Sequence, residues 1–317
     1  MTASQRATAR VTVRVPAKVN LQLAVGPLRD DGYHDLVNVF HAVSLFDELT
    51  ATEPGAAGTF TVGVEGESAA HVPADGTNLA VRAAEALAKH AGQAAPDGHP
   101  YGAALLIRKA IPVAGGMAGG SADAAAALVA CDALWGLGLS LGELMEIGAG
   151  IGSDVPFALL GGTAVGTGRG ERLTPVPVTG SFHWVFALAD GGLSTPQVYG
   201  ECDRLRATAG DEVAWPSASE PLMAALRDGD ARELGAALVN DLQPAALALR
   251  PSLARTLDAG RDAGALGAIV SGSGPTCAFL AGSAEHAREL SAALAGTGAC
   301  RAAVTAEGPV PGAEIVS

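Results

Sequence analysis

The sequence predicts an α+β protein of two domains, and three observations carry that expectation. The chain has 317 residues, enough for two cores of ordinary size. Segments with strand periodicity and segments with helix periodicity intermix without a regular βαβ beat. The texture also changes after about Gly170, where "TPVPVTG" (residues 174–180) resembles a linker and a second mixed set of elements follows. The expected division is residues 1–171 and residues 172–317, the latter a C-terminal α+β domain.

The elements follow in chain order. Val11, Val13 and Val15 alternate, and Val19, Leu21, Leu23 and Val25 alternate again after Pro16, giving two strand segments with a break at "PAK". "DGYH" (31–34) is turn chemistry, residues 36–45 read as another strand and residues 59–64 as a short one. Residues 78–92 have helical spacing, an N-cap in Asn78 and a stop in Gly92. A strand over 101–112 leads into "IPVAGGMAGGSADAAAAL" (111–128), where Ser121 caps a helix running to about Trp135. Ser140 opens the next helix with Glu143 placed for a capping box. Residues 154–166 read as strand, and further strands fall near 183–189, 266–270 and 276–281 with helices between them.

Composition narrows the function classes. Hydrophobic residues make up 49% of the chain, which suits a globular fold rather than a disordered one. A net charge of −13 argues against a sequence-independent grip on nucleic acid, which needs a basic stripe to release counterions. An acidic enzyme acting on a small molecule is the better expectation, and an anionic ligand would then need a local positive pocket. That makes the three lysines (Lys18, Lys89, Lys109) worth following. Cys131, Cys202, Cys277 and Cys300 are widely spread with no C-x-x-C pairing, which fits a reducing cytoplasm better than a disulfide framework or a zinc site. The opening "MTASQRATAR" lacks the apolar run of a secretory signal. No apolar stretch approaches the ~18 residues of a membrane span, so no membrane partner is expected.

Four glycines within residues 115–120 need a reason, because glycine loses the most conformational freedom on folding. Strand, glycine loop and helix together form a device for anions: first-turn N–H groups point outward, and the helix dipole adds about half a positive charge. Glycine lets a phosphate approach the main chain. The dinucleotide fingerprint G-x-G-x-x-G fails at Met117, and the Walker pattern matches Gly115, Gly120 and Ser121 but lacks its lysine. A compensating cation must therefore come from elsewhere in the fold or from magnesium.

With its flanks, the loop pattern P-x-x-x-G-x-x-G-G-S-A resembles the nucleotide loop of the small-molecule kinases named for galactose, homoserine, mevalonate and phosphomevalonate. "VSGSGPTCAF" (270–279) resembles their second glycine loop. "VPAKVNLQLAVGPLRDDGYHDLVNVFHAVSLFDEL" and "GSDVPF" (152–157) narrow the resemblance to the branch acting on a cytidine diphosphate-linked polyol. It extends through most of the chain and is weakest between 200 and 260. It implies an N-terminal kinase domain with the ATP loop and an active site in the cleft between two α+β domains. The implied activity is ATP- and Mg2+-dependent phosphorylation of a 2-hydroxyl on the route to isoprenoid precursors.

The resemblance also implies roles. Asp154 is the expected catalytic base, and Lys18 the cation that holds it ionised and draws charge from the transferring phosphoryl. Asn20, on the same strand face as Lys18, orients the substrate. Tyr33 and His34 form the cytidine pocket, with Pro196 and Tyr199 of "STPQVY" as its other wall. Main chain from Pro112, Val113, Ala114, Gly115, Gly116, Met117, Ala118, Gly119, Gly120, Ser121 and Ala122 wraps the phosphates, with the Ser121 hydroxyl reaching phosphate or magnesium. Asn78 and Lys109 match positions near the adenine, and Gly272, Ser273 and Gly274 close on the reacting groups. Ala122 and Asp123 depart from the serine and asparagine common in the loop, and Ala114 and Ala118 stand where glycine is common. Competing readings are a homoserine- or mevalonate-type kinase and a ligand-sensing relative without catalysis; "DGYH" and "TPQVY" count against the first, and intact Lys18 and Asp154 against the second.

Overall fold

The computed structural model describes residues 9–66, 68–96, 98–210 and 212–317. Most of the opening segment discussed above as a possible signal therefore lies outside the described residues. The first body contains β1 (Arg10–Leu28), β2 (His34–Thr52), β3 (Phe60–Gly66), α1 (Leu79–His90), β4 (Ala103–Lys109), α2 (Gly119–Trp135), α3 (Leu141–Ala149), α4 (Val155–Leu160), β5 (Thr163–Thr167) and β6 (Arg172–Pro175). The second contains β7 (Phe182–Leu188), α5 (Thr195–Ala209), α6 (Glu220–Asp228), α7 (Ala231–Ala237), β8 (Val239–Asn240), α8 (Gln243–Leu249), α9 (Ser252–Asp262), β9 (Gly267–Val270), β10 (Cys277–Ala281), α10 (Ala284–Thr297), β11 (Ala302–Gly308) and β12 (Glu314–Ile315).

An eight-stranded sheet runs β12-β1-β2-β4-β3, with β5 also on β2, β6 on β5 and β8 on β1. A four-stranded antiparallel sheet runs β11-β7-β10-β9. Two late segments return to the first sheet: β8 pairs parallel with Gln22 and Leu23, and β12 pairs with Val13 and Arg14. The β5–β6 hairpin runs across residues 171 and 172. We propose that the two domains part after β6, within residues 176–180.

Three local readings are corrected. The break expected at "PAK" is a β-bulge between Pro16 and Ala17 inside one 19-residue strand. A bulge accommodates a residue that cannot donate to the ladder while the strand continues. Residues 154–166 are not one strand, because Val155–Leu160 is helical and only Thr163–Thr167 is strand. Val155, Pro156, Phe157, Ala158 and Leu159 are all buried, so a helix that satisfies its own backbone serves better than an unpaired extended segment. Pro156 sits in the first turn, where its missing N–H costs nothing. Finally, α2 begins at Gly119 after Ala118, so Ser121 lies within the first turn instead of capping it.

The core sits beneath the glycine loop. The run Ala122 to Leu128 in α2 is entirely buried, and its small side chains allow α1, β1 and β2 to approach closely. A helix buried on every side belongs at the centre of a fold, and this one delivers its N-terminus to the cleft.

Candidate active site

A cleft of about 800 Å³ opens between the two bodies. Lys18 and Asn20 reach it from adjacent same-face positions on β1. The Lys18 ammonium donates to Asn20 Oδ1 and to the Gly116 carbonyl, each at 2.6 Å. Asn20 Nδ2 in turn donates to Asn38 Oδ1 at 2.8 Å. Burial pulls the Lys18 ammonium below the ordinary lysine range, and the negative charge of Asp154 offsets part of that shift. Asp154 stands half-buried before α4, makes no capping hydrogen bond, and lines the same cleft. The site thus brings a desolvated cation and an uncommitted carboxylate together beside a helix N-terminus.

The glycine loop supplies that N-terminus. The N-cap residue Ala118 has no side chain that can cap the first turn of α2, which leaves first-turn N–H groups open to a ligand. Ala114 and Ala118 occupy left-handed backbone, at φ 52° and 60°. These alanines, noted above as standing where glycine is common, hold that geometry at a cost of about 1–2 kcal/mol each. Gly116, at φ 76°, has a second reason to be glycine: a Cβ there would collide with the Ser271 carbonyl oxygen. Ser271 Oγ donates to the Gly116 carbonyl at 3.1 Å, and Thr276 N–H donates to the Gly115 carbonyl at 3.4 Å. The close approach at Gly116 is therefore that of the second glycine loop. Asn240 Nδ2 holds that loop through the carbonyls of Val270 (2.8 Å) and Gly272 (2.7 Å).

Elsewhere on the cleft wall, His34 Nε2 lies 2.9 Å from Asp203 Oδ1, and its ring is 5.3 Å from that of Tyr199. Burial raises the Tyr199 phenol well above its ordinary range, with the charge of Asp154 adding to the effect. Tyr33 is 53% exposed, and the Arg169 guanidinium sits 5.4 Å from its ring centre. Ser273 Oγ and Thr195 Oγ1 are 3.0 Å apart across the gap between the second loop and α5.

The cleft wall brings together Lys18, Asn20, Tyr33, His34, Pro112, Ala114, Gly115, Gly116, Ala118, Gly119, Gly120, Ser121, Asp154, Pro196, Tyr199, Gly272, Ser273 and Gly274. The remaining expected positions do not line that wall. Met117 and Ala122 bury their side chains in the core, which leaves the main-chain role expected of them open, and Val113 lies off the wall. Asn78 is an N-cap, accepting from Ala80 N–H, and is 4% exposed. The Lys109 side chain is buried between Asp47 and Asp123 and does not line the cleft. A lone lysine before a glycine loop reads as a ligand group in sequence; two partners distant in sequence turn it inward. Asp123 points away from the phosphate side for the same reason.

Arg169, Asp203 and Asn240 were missed by sequence reasoning. Arg169 carried a weak signal, an arginine between two glycines in "TGRGE". Asp203 carried another, being one helical turn beyond Tyr199.

Comparison with known proteins identifies the family. The pattern for the "GHMP kinases N terminal domain" matches residues 78–162, and that for "GHMP kinases C terminal" matches residues 222–300. The 4-diphosphocytidyl-2-C-methyl-D-erythritol kinase of Thermobifida fusca is 63% identical over 96% of this chain and 98% of its own. The enzyme of that name from Mycolicibacterium smegmatis is 57% identical over 98% of this chain and 93% of its own. A crystal structure of a 4-(cytidine 5'-diphospho)-2C-methyl-D-erythritol kinase superposes with a TM-score of 0.73 and 33% identity, covering 93% of this chain and 98% of that one. A homoserine kinase from Cytophaga hutchinsonii shares the fold alone, with a TM-score of 0.73 at 19% identity over the whole of both chains. With this likeness along nearly its full length, the chain belongs to the 4-diphosphocytidyl-2-C-methyl-D-erythritol kinase family of the GHMP kinases.

Proposed function

We propose that this protein transfers the γ-phosphoryl group of ATP to the 2-hydroxyl of 4-diphosphocytidyl-2-C-methyl-D-erythritol, a step toward isoprenoid precursors. The observation that carries the reading is one cleft lined by two sets of groups: Lys18, Asp154 and the first turn of α2, and His34, Tyr33 and Tyr199. A homoserine- or mevalonate-type acceptor has no base to occupy the aromatic set.

In this reading the glycine loop binds the triphosphate through main-chain N–H groups. Asp154 accepts the proton of the attacking hydroxyl, an assistance typically worth ~10²–10⁴ in rate. Lys18, held by Asn20 and Gly116, draws charge from the transferring group; its fixed position means little reorganisation is needed as charge develops. The donor set suits magnesium bound chiefly by ATP phosphates: the Ser121 hydroxyl sits beside Gly152 and Asp154 lines the wall. Hard oxygen ligands supplemented by substrate phosphates are the usual magnesium arrangement, and the ion would neutralise phosphate charge. Arg169, beside the Tyr33 ring, supplies positive charge for the diphosphate. A cytoplasmic setting is supported by four free cysteines. Among the described residues no helix is long and apolar enough to cross a membrane.

The test follows ADP formation with magnesium ATP and this acceptor in wild type and Asp154→Asn, with the product identified by phosphorus NMR as a new monoester. Acceptor-dependent turnover that falls at least 10²-fold in the variant, with ATP binding retained, is expected. Turnover with homoserine or mevalonate instead would overturn the substrate; ATP binding without turnover of any acceptor would overturn the enzymatic reading.

A further inference from the structure

Asn38 is 3% exposed yet lines the cleft, and its backbone is held in the sheet on both sides, opposite Leu23 of β1 and Gly166 of β5. Which end of its amide is free follows from its neighbours. The Lys18 ammonium only donates, and it does so to two oxygens, the Gly116 carbonyl and Asn20 Oδ1. With its oxygen turned to Lys18, Asn20 presents Nδ2 to Asn38, which meets it with Oδ1 at 2.8 Å. The Asn38 amide nitrogen is therefore turned away from this chain of bonds. Among the described residues Asn38 Nδ2 has no hydrogen-bond partner, and it is not one of the buried side-chain atoms sealed from solvent without one. An almost fully buried amide thus keeps a donor free, and that donor opens onto the cleft.

Buried polar groups are rarely left unpaired, so a free donor on a cleft wall calls for a ligand oxygen. Its place on the wall says which one. His34, Leu36 and Asn38 alternate along β2 and all line the cleft. At ~3.3 Å per residue, Asn38 lies roughly 13 Å along the strand from His34. Its direct partner is Asn20, which holds Lys18. Asn38 therefore faces the part of the acceptor that lies next to the transferring phosphoryl. A neutral amide suits a hydroxyl oxygen there, whereas Lys18 and the first-turn N–H groups of α2 suit phosphate. We infer that Asn38 binds the acceptor by donating from Nδ2 to a non-reacting hydroxyl of its polyol, on C1 or on C3. The inference rests on the acceptor proposed above, whose reacting hydroxyl is on C2.

The test is calorimetric binding of the acceptor, its 1-deoxy and 3-deoxy analogues, and CDP, which lacks the polyol, to wild type, Asn38→Leu and Asn38→Ala. Leucine fills the space of the amide without its polar atoms; alanine leaves room for water beside Asn20 should leucine not pack. In either variant, affinity for the acceptor should fall about tenfold while affinity for CDP holds. One of the two deoxy analogues should bind wild type about tenfold more weakly than the full acceptor does. The same analogue should bind the variants as well as the full acceptor does, because the bond it lacks is already gone. A residue that only holds the strand in place would weaken CDP and every acceptor alike. Removing either hydroxyl would then cost the variants the same factor as wild type. Either of those results, or an acceptor affinity unchanged in both variants, overturns the inference. Binding is read without turnover, so a wild type that shows the expected pattern but forms no ADP overturns only the kinase reading.

Discussion

Beneath the ATP loop lies a buried charge cluster whose protonation state can be worked out from geometry. Lys109 Nζ donates to Asp47 and to Asp123 Oδ2 (2.8 Å), and more weakly to the Gly119 carbonyl at 3.3 Å. All three charged side chains are at most 3% exposed. One ammonium serves two carboxylates. Asp47 Oδ1 additionally accepts the N–H groups of Ala110 (2.6 Å) and Ile111 (2.9 Å), so Asp47 is the better-stabilised anion. Asp123 Oδ1 has no partner in its ionised form, and burial is the main cause of its carboxyl being raised to about 8. The cluster is thus neutral at pH 7, with the Asp123 proton shared toward Asp47.

Two substitutions then behave oppositely. Lys109→Met strands a carboxylate that nothing else in the core neutralises, which costs about 3–5 kcal/mol, or on the order of 10 °C in Tm. Asp123→Asn mimics the protonated acid and costs less than ~1 kcal/mol. The linkage sign also follows. A carboxyl whose folded pKa is raised holds a proton in the native state that the unfolded chain has released. Stability from this group is therefore full below the unfolded pKa near 4 and is lost as pH rises toward about 8. The slope is at most ~1.4 kcal/mol per pH unit for one proton. Urea unfolding of wild type and Asp123→Asn at pH 5.5, 6.5 and 7.5 isolates it: the wild type should lose about 2.5 kcal/mol relative to the variant across that range and end as the less stable of the two. A difference that stays flat, or an Asp123→Asn variant as damaged as Lys109→Met, would refute the shared-proton assignment.

Gly116→Ala forces a left-handed alanine against the Ser271 carbonyl and separates the two glycine loops. It should raise KM for ATP at least tenfold and lower Tm, as read by steady-state kinetics and calorimetry. Arg169→Gln removes one of the two lysine or arginine side chains lining the cleft among the described residues. KM for the acceptor should rise about tenfold, KM for ATP should hold, and the salt dependence of acceptor binding should weaken. Because burial lowers the Lys18 pKa, kcat should fall as pH rises through a value below the ordinary lysine range near 10.5. Lys18→Arg, which stays charged, should remove that basic limb from the pH profile even if its residual rate is low.

What the sequence by itself determined is local. Alternating valines and leucines make β1, because the pleat places every second side chain on one face. Asn78 caps α1 and the Ser140–Glu143 pair forms a capping box, because these bonds close within three residues. The first glycine loop was legible for the same reason: an open helix N-terminus is a property of the segment itself, whereas the second, between β9 and β10, was legible only through its resemblance. The tertiary structure decided whatever depends on partners distant along the chain. It made Val155–Leu160 a helix, since an apolar run reads alike in either conformation until its neighbours leave no strand to pair with it. It turned Lys109 inward to Asp47, 62 residues away, and set Asp203 against His34 across 169 residues. It also returned β12 to the first sheet beside β1. Short-range hydrogen bonds and periodicity are written in adjacent residues, whereas a buried charge or a cleft wall exists only once desolvation and packing bring distant groups together.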